Sequence, residues 1–275
     1  MSHSTNYVNP LRSVGSFWRN RSLIWQMTRR EVAGRYRGSI LGLLWSFFNP
    51  VFMLLIYTFV FSVVFQAKWG QRQSESKAEF ALILFAGLIV FNLFSEVLSR
   101  APGLVLSNVN YVKKVVFPLE ILPVVATCSA LFHAFVSVFV LLAFHLLTNG
   151  ILPLTAVLFP LVRLPFVVFV LGLAWFLSSL GVFVRDVGQT IGILISALMF
   201  VSPIFFPASV LPEQIRAWLF LNPVTFIIEQ ARAVLLWNTQ PDWQGLALYL
   251  LVGLAVAWCG FLWFQKTRKG FADVL

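Results

Sequence analysis

No residue between Arg37 and Lys68 carries a formal charge, and this aromatic-rich stretch follows directly on a block of arginines. Its apolar part, Leu41 to Phe65, exceeds the roughly 20 helical residues that a bilayer's hydrocarbon core requires. Further apolar runs lie near Phe80 to Leu98, Leu122 to Leu147, Leu154 to Val184, Val187 to Phe206 and Gly245 to Phe264. Read against a bilayer-length window they predict an all-α integral membrane protein of six transmembrane helices. Residues 1–36 form a separate N-terminal segment, and 37–275 the membrane domain.

The polar positions orient these spans. Lys and Arg close to a span stay on the cytoplasmic side. A cytoplasmic assignment collects the N-terminal arginines, Arg100, Lys113, Lys114, Arg185, Lys266, Arg268 and Lys269, and leaves Lys68, Arg72, Lys77, Arg216 and Arg232 outside. Both termini are therefore expected inside. The stretch from Ala208 to Gln240 is apolar but carries Arg216, Glu229 and Arg232 and is broken at Asn222-Pro223. A crossing there would move Lys266, Arg268 and Lys269 outside. Two short helices that dip into the membrane and return satisfy the charge rule, and such backbone must be covered by protein.

Composition agrees. Only 11% of residues are charged and 59% are hydrophobic, against about 25% charged in soluble domains. The net charge of +10 sits at span ends and lacks the aromatic interleaving of a nucleic-acid groove, so no nucleic-acid partner is expected. It reads as orientation bias and attraction to anionic headgroups. Cys128 and Cys259 stand alone in apolar segments.

Phe17 to Tyr36 reads as an amphipathic interfacial helix, Phe17, Ile24, Trp25 and Met27 on one face and Arg19, Gln26, Arg29 and Arg30 on the other. Arg21 and Arg35 depart from that pattern. Such a helix serves as a membrane-surface anchor or a docking surface. Gly34, Gly38 and Gly42, like Gly188, Gly192 and Ser196, have the small-residue spacing of close helix contacts. In the loop after the second span, Asn108 or Asn110 can cap a short helix that Pro118 stops. At the turn Arg185-Asp186, Asp186 and Gln189 have capping-box spacing. Arg163, alone inside a span, either faces a cavity or snorkels to the outer headgroups.

Chemistry is constrained by what the chain lacks. It has no G-x-x-x-x-G-K-[ST] loop and no Gly-Lys pair, which removes that route to ATP binding. His3, His133 and His145 form no ligand cluster, so no metal site, no catalytic residue and no cofactor are expected in this chain.

The successive segments RYRGSILGLLWSFFNPVFMLLIYTFVFSVVF, VKKVVFPLEILP, VFVRDVGQ, SPIFFPASVLPE, LNPVTFIIEQAR and the terminal GFADVL resemble the ABC-2 type permeases that export lipid-linked polysaccharides. The resemblance extends from Arg29 to the C-terminus and is greatest to the O-antigen exporter permeases of the Wzm type. Teichoic acid permeases are similar and capsule permeases more distant; drug or lipid ABC-2 permeases usually carry a larger domain where 66–79 forms a short loop. The resemblance implies a homodimer in the bacterial inner membrane, paired with two copies of an ABC ATP-binding subunit that holds ATP and Mg. It implies an interface helix reaching about Arg30, and a coupling helix over 108–116, with Asn108, Asn110, Tyr111, Val112, Lys113 and Lys114 contacting the ATPase. Re-entrant helices within 208–240 would shape the exit. The implied substrate is an undecaprenyl-diphosphate-linked glycan. Arg29, Arg30, Arg35 and Arg37 are then candidates for the diphosphate, and Phe48, Phe52, Tyr57, Phe59, Phe200, Phe205 and Phe206 for an aromatic channel lining. Arg185 and Asp186 are candidates for a conformational relay. The contrasting class is a membrane scaffold or lipid-processing enzyme that uses no ATP.

Overall fold

The computed structural model describes residues 10–60, 69, 77–113, 117–210, 212–219 and 221–275. Among them the regular structure is all helical. Two helices, α1 (Pro10–Arg19) and α2 (Arg21–Arg35), precede α3 (Trp45–Tyr57), α4 (Lys77–Arg100) and the one-turn α5 (Val109–Val112). Then come α6 (Ile121–Asn149), α7 (Phe159–Phe183), α8 (Val187–Val201), α9 (Glu213–Leu219), α10 (Pro223–Leu235), α11 (Trp243–Thr267) and α12 (Phe271–Val274).

By length and composition, five helical segments among the described residues can cross a membrane: Gly42–Val60, Ala78–Gly103, Ile121–Asn149, Leu154–Phe183 and Trp243–Val274. The run expected as a span from Val187 to Phe206 is helical only to Val201, because Ser202 turns to extended backbone ahead of Pro203. Its 15 residues extend about 22 Å, short of a hydrocarbon core of about 30 Å. The break at Asn222-Pro223 behaves as its sequence suggests: the Asn222 carboxamide accepts from Val224 N at 3.0 Å and Pro223 opens α10. Two short helices, α9 and α10, thus occupy the stretch after Ala208.

A helix apolar on every side belongs in a core, and α4 is that helix. Of its most apolar window 83% is buried, against 11% for the span containing α3. Around α4 pack α3, α6, α7, α8 and α10. The closest pairing is between α7 and α11, and glycine explains it. A Cβ on Gly172 would lie 2.5 Å from Ala257 N, and one on Gly260 would collide with the Gly172 carbonyl. Backbone meets backbone there, as at other membrane helix contacts built on small residues. Gly181 likewise admits the Pro102 backbone.

The expected glycine seams lie elsewhere than the real ones. A Cβ on Gly34 would meet nothing within 4 Å, and Gly38, in the turn after α2, and Gly42, at the start of the helical segment leading into α3, take φ of +88° and +50°, so the three do not share one helix face. Gly192 meets nothing within 4 Å, and Gly188 touches only Pro102.

The N-terminal segment differs from one continuous amphipathic helix: it breaks at Asn20 into α1 and α2. Phe17 stacks on Trp175 with ring centroids 5.7 Å apart and meets Phe261 edge-on at 6.0 Å, which fixes α1 to α7 and α11. Along α2, Thr28 and Val32 are buried while Trp25 is exposed. Its inward face is therefore offset from the one expected.

Candidate functional site

Chain direction gathers one set of helix ends on a single face: the ends of α4, α7 and α11 and the start of α6 meet α1, α2 and α5 there. Arg100, Lys113, Arg185, Lys266, Arg268 and Lys269 belong to this basic face, along with the arginines of α1 and α2. The opposite face carries α9 and α10.

The centre of the basic face is a carboxylate the sequence reading passed over. Glu96, on α4, is ion-paired with Arg35 at the end of α2, 3.8 Å from Arg100 Nη1 and 3.8 Å from His133 Nδ1 on α6. Arg100 also lies 2.7 Å from Glu31 on α2. Arg35 breaks the amphipathic pattern of α2 because it points at this cluster. Beside it Tyr36 packs on His133, centroids 6.1 Å apart. Burial pushes the Tyr36 hydroxyl above the usual tyrosine range, the Arg35 guanidinium opposes the shift, and Glu96 reinforces it.

A second set of contacts holds the loop around α5 from two sides. Arg30 donates to the Tyr111 hydroxyl at 3.0 Å, and Tyr111 stacks on Phe117 at 4.2 Å with nearly parallel planes. From the other side Arg268 donates to Glu120 Oε2 at 2.8 Å and to Phe117 O at 3.0 Å. Trp175 Nε1 donates to Glu120 O at 2.9 Å. Residues of α2, α7 and the end of α11 thereby fix the path of the chain into α6.

Of the positions expected to form a coupling helix, only Val109–Val112 is helical, and Lys114 lies outside the described residues. Asn108 does not cap with its side chain, which donates to Leu104 O at 2.9 Å. Asn110 and Lys113 are exposed, and Val112 is half-buried. The four arginines chosen for a diphosphate have separate surroundings: Arg30 is bonded to Tyr111, Arg35 to Glu96, Arg37 is exposed beyond α2, and Arg29 lines a groove against α6 and α7.

The turn before α8 departs from the expected capping box. The Asp186 side chain makes no cap bond, its carbonyl receives Thr190 N at 3.1 Å, and Arg185 and Asp186 are both exposed. Main-chain bonding starts α8, with the Thr190 hydroxyl also donating to the Asp186 carbonyl at 3.3 Å. The proposed channel aromatics fall into two groups. Phe48 and Phe52 stack at 6.1 Å on α3, where Phe52 and Phe59 are exposed and Tyr57 is half-buried; Phe200 and Phe205 stack at 6.2 Å at the end of α8, beside half-buried Phe206. Phe52, Phe59 and Phe200 face outward, while Tyr57 and Phe205 pack against the buried core.

On the opposite face the sequence reading missed the role of Arg232. Its side chain is 0% exposed. Nε donates to Ile83 O at 3.1 Å, Nη2 to Ile204 O at 3.2 Å and Nη1 to Glu229 Oε1 at 2.9 Å, while the guanidinium stands 4.3 Å from the Trp69 ring centroid. Gly87 makes the room, since a Cβ there would lie 2.9 Å from Nη2. Arg232 thus bolts α10 to α4 and to the chain after α8. Nearby, Asn222 Nδ2 donates to Ser202 Oγ at 2.8 Å and Tyr249 to Pro223 O at 2.8 Å.

With regular structure that is all helical among its described residues, five membrane-length segments among them, a basic face held by ion pairs and an opposite face bolted by a buried arginine, the chain has the build of a polytopic membrane protein. The chain belongs to the ABC-2 type transporter family, which it matches over residues 22–236. It is 26% identical over 265 residues to the O-antigen export system permease protein RfbA of Myxococcus xanthus, covering 96% of this chain and 99% of that one. It is 24% identical to the protein of that name from Klebsiella pneumoniae, covering 90% and 93%. The polysialic acid transport protein KpsM of Escherichia coli is 27% identical, over 74% of this chain and 77% of its own length.

Proposed function

We propose that this chain is the membrane subunit of a polysaccharide exporter, carrying an undecaprenyl-diphosphate-linked glycan of O-antigen type across the bacterial inner membrane towards lipopolysaccharide. The observation that carries the reading is the end-to-end correspondence with the O-antigen export permease of Myxococcus xanthus, 96% of one chain against 99% of the other. ATP hydrolysis, with its Mg, belongs to two copies of a separate ATP-binding subunit, and two copies of this chain enclose the path. The apolar residues Phe52, Leu55 and Phe59 of the first span and Ile193, Leu194 and Phe200 of α8 are exposed, and both elements pack against α4, which supports such pairing. In the dimer α8 completes a sixth crossing, and α9 and α10 sit re-entrant in the outer leaflet. Both termini lie in the cytoplasm.

The α5 loop is the contact for the ATP-binding subunit. It is exposed at Asn110 and Lys113 and braced from behind by Arg30 and Arg268, so a push on it reaches α2 and α6. The arginines of α2 attract the lipid diphosphate, and the aromatic groups of α3 and α8 provide non-directional stacking for sugar rings. Co-expression with the ATP-binding protein encoded beside this chain, purification through a tag on this chain alone and measurement of ATP hydrolysis test the reading. Recovery of the partner, with turnover altered by Lys113→Glu, is the expected result. Recovery of the chain without any ATP-binding protein would refute it.

A further inference from the structure

A groove of about 1430 Å³ runs between α2, α6 and α7, from Arg21 and Arg29 at the basic face to Arg163 near the start of α7. Along α6 it extends from Cys128 to Leu142, about 21 Å of helix. That exceeds the roughly 300–1,000 Å³ of sites for drug-sized ligands, and its length suits an extended chain. The walls are almost wholly apolar, with Leu131, Phe135 and Val138 on one side and Leu164, Val167 and Val168 on the other. Three arginines and no carboxylate line it among the described residues.

Arg163 decides what the groove holds. Its Nη2 is buried and, among the described residues, has no hydrogen-bond partner. An unpaired buried donor on a charged group is costly, and the apolar walls offer no acceptor. Helical side chains lean towards the N-terminus, and the guanidinium accordingly lies 5.8 Å from the Phe159 ring centroid, level with the first residue of α7. The candidate span starts at Leu154, so the guanidinium lies in the first turns of that segment, at the end of the groove away from Arg21 and Arg29. A guanidinium fork matches a phosphate in bidentate fashion.

We propose that this groove binds an anionic phospholipid, its phosphate on Arg163 and an acyl chain laid between α6 and α7 towards α2. Both ends of the groove are cationic, so an anionic headgroup is favoured over one carrying its own ammonium. The lining comes from α2, α6 and α7, the residues just before α7, and Leu43 ahead of α3, and includes no residue of α3 or α8, so the proposal does not depend on the export reading.

The test is native mass spectrometry of the full chain purified in detergent, titrated with phosphatidylglycerol or phosphatidylethanolamine, with thermal unfolding in parallel. Wild type is expected to retain one phosphatidylglycerol selectively and to gain stability from it. Arg163→Ala should weaken that retention about tenfold or more, and Arg163→Lys should restore part of it. Val167→Trp fills the groove without touching the arginine and should also expel the lipid, which keeps the test decisive if Arg163→Ala fails to fold. Lys269→Ala, on an exposed cation outside the groove, should leave retention unchanged. Equal retention of the two lipids, or undiminished phosphatidylglycerol binding in Arg163→Ala or Val167→Trp, would overturn the proposal.

Discussion

Replacing Arg232 by alanine should be among the most damaging single changes in this chain. The side chain is 0% exposed and donates to two backbone carbonyls, Ile83 O and Ile204 O, from elements 149 and 28 residues distant. Alanine removes both bonds, each from a charged donor and worth about 1.5–3 kcal/mol. It also strips Glu229 of its partner and Trp69 of its cation. Glu229 is 32% exposed, so water screens most of that loss and it is given no share in the sum. A destabilisation of about 3–5 kcal/mol follows, typical of breaking a buried charged network. For a chain of this size that corresponds to a fall in Tm of roughly 6–15 °C. Arg232→Lys keeps the charge but not the fork, so one carbonyl stays unserved and the loss should be about half. Gly87→Ala should mimic a weaker version of the lesion from the other side, because its methyl would crowd Nη2. The assay is thermal unfolding of detergent-purified protein by intrinsic fluorescence, with Arg37→Ala as an exposed control. A Tm for Arg232→Ala within about 1 °C of wild type would refute the claim that this guanidinium holds α10 to α4.

Other contacts lead to measurable outcomes. Gly172→Val and Gly260→Val should each cost more than about 3 kcal/mol by forcing α7 and α11 apart, seen as loss of the monodisperse peak in gel filtration; normal elution with wild-type Tm would contradict it. Tyr111→Phe removes the acceptor for Arg30 and leaves the ring on Phe117, so stability should change by less than about 1 kcal/mol while stimulation of the ATP-binding partner falls; an unchanged turnover would show that this bond transmits nothing. Glu96→Gln leaves Arg35, Arg100 and His133 clustered without their shared carboxylate and should lower stability by about 1–2 kcal/mol, checked by urea unfolding against wild type.

What could be read from sequence was local. Five of the expected spans follow from uninterrupted apolar runs among the described residues, the run from Val187 being cut short at Ser202, and the Asn222-Pro223 cap follows from residue chemistry at adjacent positions. The basic face follows from where Lys and Arg fall relative to span ends. The contacts that fix the fold were not legible, since each depends on residues far apart in the chain. Arg232 reads as one more outer cation until Ile83, Ile204 and Trp69 are seen around it. Gly172 has no small residue three or four positions away in α7, while its partner helix carries the small-residue spacing Gly253, Ala257 and Gly260, so the pairing shows only when both helices are seen, whereas the regular Gly34, Gly38 and Gly42 series makes no such contact. Glu96 looks like a lone acid in an apolar helix, and only the fold brings Arg35 and His133 to it. For the same reason four arginines that look like one anion site in sequence have four different environments.

The two faces differ in how readily their contacts exchange, and this bears on how the chain could move. Arg30, Arg35, Arg100 and Tyr111 are partly exposed, and contacts of that kind are typically worth about 0–1 kcal/mol each; they can break and re-form without a large barrier. The Arg232 bolt is fully enclosed and cannot exchange one carbonyl for another without passing through an unpaired buried cation. The α7–α11 pair is equally unyielding, because interlocked backbones have no side chains to repack. A push delivered at α5 would therefore be absorbed first by α2 and the Glu96 cluster, while α4, α10 and the chain after α8 move as one piece. Rearrangement that reached the far face would then have to occur by rigid displacement along the exposed sides of α3 and α8, where no bolt is present among the described residues.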